Sequence, residues 1–110
     1  ISPGMKTRFR ALHDYTAKLP LCAATESEEL AGLTTRQAIE LGVMNGIAFE
    51  IEGYAARMRS QIDDLCVIFT GGDANFFVKR IKNTIFANCN LVFCGLNRIL
   101  EYNASEEHLD

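Results

Sequence analysis

The stretch Leu65-Cys66-Val67-Ile68-Phe69-Thr70-Gly71-Gly72-Asp73 decides the fold class of this chain. A short apolar run with β-branched residues, closed by paired glycines and a polar helix-starter, reads as a buried strand, a tight turn and a helix N-terminus. Asp73 is the expected N-cap of a helix that carries Ala74, Phe77, Val78 and Ile81 inward, with Lys79, Arg80 and Lys82 at the end where the helix dipole favours cations. Beyond it, Asn83 to Asn88 is ambiguous, Asn90-Leu91-Val92-Phe93 reads as a second short strand, and Gly95 leads into a last helix from Leu96 to about Tyr102. Parallel strands joined by a crossover helix are expected, and such a pair needs further strands to bury its faces. Ligands of open α/β sheets gather at the carboxyl ends of the strands. Gly71 and Gly72 are therefore candidate ligand-facing residues, because glycine lets a ligand approach the backbone and the next helix turns N–H groups toward it. The Asp73 carboxylate repels a phosphate, which favours a neutral nucleoside held through its sugar or base.

Upstream, Ile1-Ser2-Pro3-Gly4 looks like the end of a strand and a turn, and the chain is expected to be a piece of a longer one. Met5, Phe9, Leu12, Thr16 and Leu19 recur at helical spacing, and Pro20 is the expected stop. Lys6, Arg8, Arg10, Asp14 and Lys18 fall on the opposite, solvated face. An acidic loop follows from Cys22 to Gly32. Thr34 and Thr35 then open the longest helical pattern, to about Ile62, with Thr35 as the expected N-cap. Gly42, Gly46 and Gly53 interrupt that helix at a cost of about 1 kcal/mol each against alanine. They imply either close packing against a neighbouring element, including one across a subunit boundary, or a ligand lying in the notch.

The 110 residues suffice for one small domain, and a formal charge of −3 argues against a nucleic-acid surface, which needs a basic stripe. No apolar run approaches the roughly 20 residues that span a bilayer, and no leader pattern opens the chain. Cys22, Cys66, Cys89 and Cys94 form no CxxC pair and read as reduced core or near-core thiols of a cytoplasmic protein. His13 and His108 have no catalytic or metal-binding companions at a suitable spacing, and Glu50 and Glu52 cannot face each other on a helix. No complete catalytic constellation is present, and residues 105–110 read as a frayed tail after a single unit over 1–104.

Taken in order, Ile1-Ser2-Pro3-Gly4, Thr16-Ala17-Lys18-Leu19-Pro20, Thr34-Thr35-Arg36-Gln37-Ala38-Ile39-Glu40-Leu41-Gly42 and Thr70-Gly71-Gly72-Asp73-Ala74 resemble consecutive motifs of the type III pantothenate kinases. The resemblance implies an α/β fold: the C-terminal portion of an actin-like ATPase (ribonuclease H-like) domain, with long helices packed on a partial mixed sheet. It implies a homodimer with pantothenate near the subunit boundary, and transfer of the ATP γ-phosphoryl group to pantothenate with Mg2+ and a monovalent cation, K+ or NH4+. By motif, Thr35 is the threonine that contacts pantothenate across the boundary, and Thr70, Gly71 and Gly72 face the adenosine. The family's Asp-x-Gly-Asn phosphate loop, its Gly-x-Asp-Arg segment with the aspartate base and its potassium-binding aspartate are all expected upstream of Ile1. The rival expectation is a non-catalytic relative acting as a transcriptional accessory protein.

Overall fold

The computed structural model describes residues 1–81, 85–87 and 91–107. Its elements are α1 (Met5–Asp14), α2 (Thr35–Arg59), β1 (Val67–Phe69), α3 (Ala74–Arg80), β2 (Ile85–Ala87) and α4 (Leu91–Glu107). Contacts divide the chain into two units, Ile1–Leu65 and Cys66–Asp110.

The first unit is a helix pair. α1 buries Met5 and Phe9, one turn apart, against α2. It ends at Asp14, well short of Pro20, so the proline is not its terminator. The Thr16 hydroxyl donates to one of the last carbonyls, that of Leu12, and beyond the helix His13 Nδ1 donates to the Leu19 carbonyl at 2.8 Å. His13 thus fastens the segment after α1. α2 ends at Arg59, with Ser60 as C-cap. It buries Ile39, Leu41, Val43, Met44, Ile47, Ala48 and Ala55, and Met44 is fully enclosed. Thr35, Ala38, Gly42 and Phe49, spaced by three, four and seven, are all exposed on one remaining face.

Between the helices the chain makes a long excursion without regular structure, and buried groups hold it. Asn45 Nδ2 donates to the Glu29 carbonyl at 2.7 Å, and Cys22, buried as expected, receives an Arg36 Nη1 contact at 3.7 Å. Gly32 lies against the first turn of α2, where an added Cβ would stand 2.6 Å from the Ala38 nitrogen. A side chain has no room there.

In the second unit β1 and β2 pair in parallel, with Val67 opposite Ile85, Ile68 opposite Phe86 and Phe69 opposite Ala87. The strand, helix and strand order matches expectation, but the second strand is Ile85–Ala87. Leu91, Val92 and Phe93 are the first residues of α4, which corrects the strand expected there; Asn90 lies outside the described residues. A short apolar run fits a strand and a helix alike, and here the chain takes it into the helix. α4 also continues through 105–107. β1 is not buried either: Ile68 is 50 % exposed and Cys66 is exposed, because the sheet has only two strands among the described residues. α3 contacts β2 and buries Ala74 and Phe77, with Ile81 just beyond. The pair among the described residues is parallel, and Cys89 and Lys82 lie outside those residues.

Candidate functional site

The start of α2 assigns different roles to its adjacent threonines. Thr34, in extended conformation, is the N-cap, and its Oγ1 accepts from the Gln37 N–H at 3.2 Å. Gln37 Oε1 returns a bond to the Leu33 N–H at 2.9 Å. Thr34-x-x-Gln37 is thus a capping-box pattern in which the glutamine reaches back one residue further than usual. Thr35, expected as the cap, is the first helical residue. Three residues beyond it stands Ala38, which has no side-chain group to complete a box. The Thr35 hydroxyl is exposed and has no hydrogen-bond partner among the described residues.

Thr35 borders an open groove of about 720 Å³ between α1 and α2. Ala11 and Leu12 form one wall, and Thr35, Ala38 and Gly42 the other, so the surface is largely apolar with a free hydroxyl at its edge. The close-packing explanation of the helix glycines does not hold within this unit. An added Cβ at Gly42 or Gly53 meets nothing within 4 Å, and one at Gly46 makes an ordinary 3.7 Å contact with Arg8 Nη1.

Arg8 lines the same groove and corrects a second expectation, since it is not a solvated cation. Its Nε donates to the Pro3 carbonyl at 2.9 Å, and its Nη2 to Ser2 Oγ at 3.1 Å and to Glu50 Oε2 at 2.8 Å. The Ser2 hydroxyl, and next to it the Arg8 guanidinium, hold the Glu50 carboxyl below its ordinary value. No sequence signal marked this pair, whose members are 42 positions apart.

The second candidate site belongs to the other unit. Gly71 stands at φ +99°, in the left-handed region open to glycine, and lets the chain turn from β1 into α3. Its carbonyl accepts from the Ala74 N–H at 3.3 Å. Thr70, Gly71 and Gly72 are exposed, and an added Cβ at either glycine meets nothing within 4 Å. Asp73 occupies the expected N-cap position but makes no side-chain cap bond.

Residues 1–57 match the family model described as type III pantothenate kinase. The chain belongs to that family. It is 50% identical over 102 residues to the type III pantothenate kinase of Flavobacterium psychrophilum, covering 93% of this chain and 42% of the relative. With that of Flavobacterium johnsoniae it shares 43% over 107 residues, covering 97% and 44%. The chain thus spans less than half the length of the curated relatives it matches. A crystal structure from Campylobacter jejuni, of a protein named for the Baf family of transcriptional activators, superposes with a TM-score of 0.64 at 20% identity, covering 88% of this chain and 45% of that one. That likeness concerns the fold. The type III pantothenate kinase family has the actin-like ATPase fold, and both candidate sites follow motifs that carried the resemblance to it.

Proposed function

We propose that this chain is the C-terminal part of an enzyme that transfers the γ-phosphoryl group of ATP to the hydroxyl of pantothenate, the first step of coenzyme A synthesis. The observation that carries this reading is the unengaged Thr35 hydroxyl at the groove edge, within the stretch that matches the family. Phosphoryl transfer is achieved mainly by positioning and charge stabilisation, and this chain supplies positioning. Thr35 hydrogen-bonds pantothenate, while Thr70, Gly71 and Gly72 present a side-chain-free surface to the adenosine. The aspartate base and phosphate loop come from the rest of the enzyme. When bound, Mg2+ and a monovalent cation, K+ or NH4+, would supply charge neutralisation at the phosphates. Among the described residues no group of three or more His, Cys, Asp or Glu could hold a metal ion, so neither cation is assigned a ligand here.

The remaining strands of a mixed, ribonuclease H-like sheet would cover β1, whose exposure supports that placement. The exposed face of α2, notched at Gly42 and Gly53 and carrying Phe49, suits a second copy of the enzyme, so that Thr35 reaches pantothenate across a homodimer boundary. No helix among the described residues is long and apolar enough to cross a membrane, and the enzyme is read as cytoplasmic, with no nucleic-acid or membrane partner. The transcriptional reading has no comparable support, since the likeness to the Campylobacter jejuni protein is one of fold.

Purified enzyme of the relatives' full length is expected to release ADP from ATP only when pantothenate is present, and the 110-residue chain alone to release none. Full-length protein that binds neither substrate would overturn the assignment. Light scattering of the full-length protein checks the dimer, and a monomer at every concentration counts against it.

A further inference from the structure

Arg8 is the charged residue in the groove lining that holds Thr35, and its Nε and Nη2 are already committed to protein acceptors. Its bonds run from α1 to the Ser2 and Pro3 segment and to Glu50 on α2. The bonds to Ser2 and Pro3 fix the guanidinium against the lead-in of α1, and its bond to Glu50 carries that fixed group across to α2, which restrains the slide of α1 along α2 more than a freely rotating side chain would. Ala11 and Leu12, about one turn further along the same stiff helix, form the groove wall that faces Thr35, Ala38 and Gly42. Where Arg8 holds α1 therefore sets how far that wall stands from the Thr35 hydroxyl.

We infer that Arg8 is a positioning residue for the substrate that Thr35 contacts. Its bonds to Ser2, Pro3 and Glu50 hold the α1 wall in register with Thr35, so that the substrate meets a groove of fixed width. This rests on the reading of Thr35 as the pantothenate contact. The role assigned to Arg8 rests on the Nε and Nη2 groups that protein acceptors engage, and not on a contact with the substrate.

The test uses the full-length enzyme with three substitutions. Arg8→Met keeps the apolar stem and removes every guanidinium bond, Arg8→Lys keeps a cation near Glu50 but loses the planar fork, and Glu50→Gln keeps an acceptor without its charge. Arg8→Met is expected to raise the KM for pantothenate about fivefold, on the scale of one lost hydrogen-bonded contact, with the KM for ATP unchanged. Arg8→Lys should recover part of that loss, and adding Glu50→Gln to Arg8→Met should raise the KM no further. A lower melting temperature with both KM values unchanged, or with both rising together, overturns the inference and leaves Arg8 a purely stabilising residue. If Arg8→Met does not fold, the same KM comparison on Arg8→Lys and Glu50→Gln decides it. Activity that responds to Thr35→Val but not to the Arg8 variants refutes the positioning role alone. Wild-type enzyme with no pantothenate-dependent ADP release refutes the functional reading, and the positioning role with it.

Discussion

Thr34 Oγ1 accepts the Gln37 N–H at 3.2 Å, and this bond relieves Thr35 of the capping role. Thr34→Ala should destabilise the protein by about 1 kcal/mol, the usual cost of losing an N-cap. Thr35→Val should leave the melting temperature nearly unchanged and raise the KM for pantothenate, while Thr35→Ser retains the wild-type KM. Thermal melts beside steady-state kinetics of the full-length enzyme separate these roles. Equal loss of stability in Thr34→Ala and Thr35→Val would return Thr35 to the cap.

Glycines 71 and 72 should respond differently to alanine. Gly71 stands at φ +99°, so Gly71→Ala is expected to cost about 1–2 kcal/mol whether or not ATP is bound. At Gly72 the backbone is not in that region and an added methyl meets open space, so Gly72→Ala should melt like wild type. If adenosine lies there, the methyl group weakens ATP binding in a calorimetric titration. Unchanged ATP affinity in both variants removes the turn from the nucleotide site.

Gly32 and Gly42 make a complementary pair. A methyl at Gly32 would stand 2.6 Å from backbone atoms of α2, so Gly32→Ala should lower the melting temperature markedly. A methyl at Gly42 meets nothing within 4 Å, and helix propensity then makes Gly42→Ala stabilising by up to about 1 kcal/mol in a monomer. Should Gly42→Ala instead dissociate a dimer in light scattering, the notch is part of the subunit boundary.

Glu50 predicts a loss of stability in acid. Its folded-state carboxyl lies below its ordinary value, chiefly through the Ser2 hydroxyl and then Arg8. The unfolded chain therefore binds the proton more readily, and the contribution of Glu50 is present above the ordinary glutamate range and fades as pH falls through the lowered folded value. Melting curves of wild type and Glu50→Gln should consequently differ near neutral pH and converge in strong acid. A constant difference across that range would show that the charge of Glu50 carries no stability.

Asn45 is the polar residue on the buried face of α2, and its hydrogen bond should contribute to stability. Its Nδ2 donates to the Glu29 carbonyl in a partly buried setting, so Asn45→Ala removes that bond and should cost about 1–3 kcal/mol by denaturant unfolding. A cost below about 0.5 kcal/mol would mean that solvent reaches the carbonyl once the side chain is gone.

The sequence by itself determined what a few consecutive residues can encode. The Gly71-Gly72 turn into α3, the long helix opening at the Thr34-Thr35 pair and the inward face of α3 all follow from periodicity and from the conformational freedom of glycine. Ordered motifs also sufficed to show the family resemblance. The reading from sequence placed the cap on Thr35, although the spacing Thr34-x-x-Gln37, with Ala38 three residues after Thr35, was the local signal for the box the structure shows. Tertiary structure alone decided the rest. Leu91-Val92-Phe93 satisfies a strand and a helix equally, and only the path of the chain places the second strand at Ile85–Ala87. Arg8 and Glu50, or Asn45 and the Glu29 carbonyl, meet across 42 and 16 positions. Hydrogen bonds over such distances leave no local pattern, because the partner of a polar group is set by where folding brings the chain and not by its neighbours in sequence.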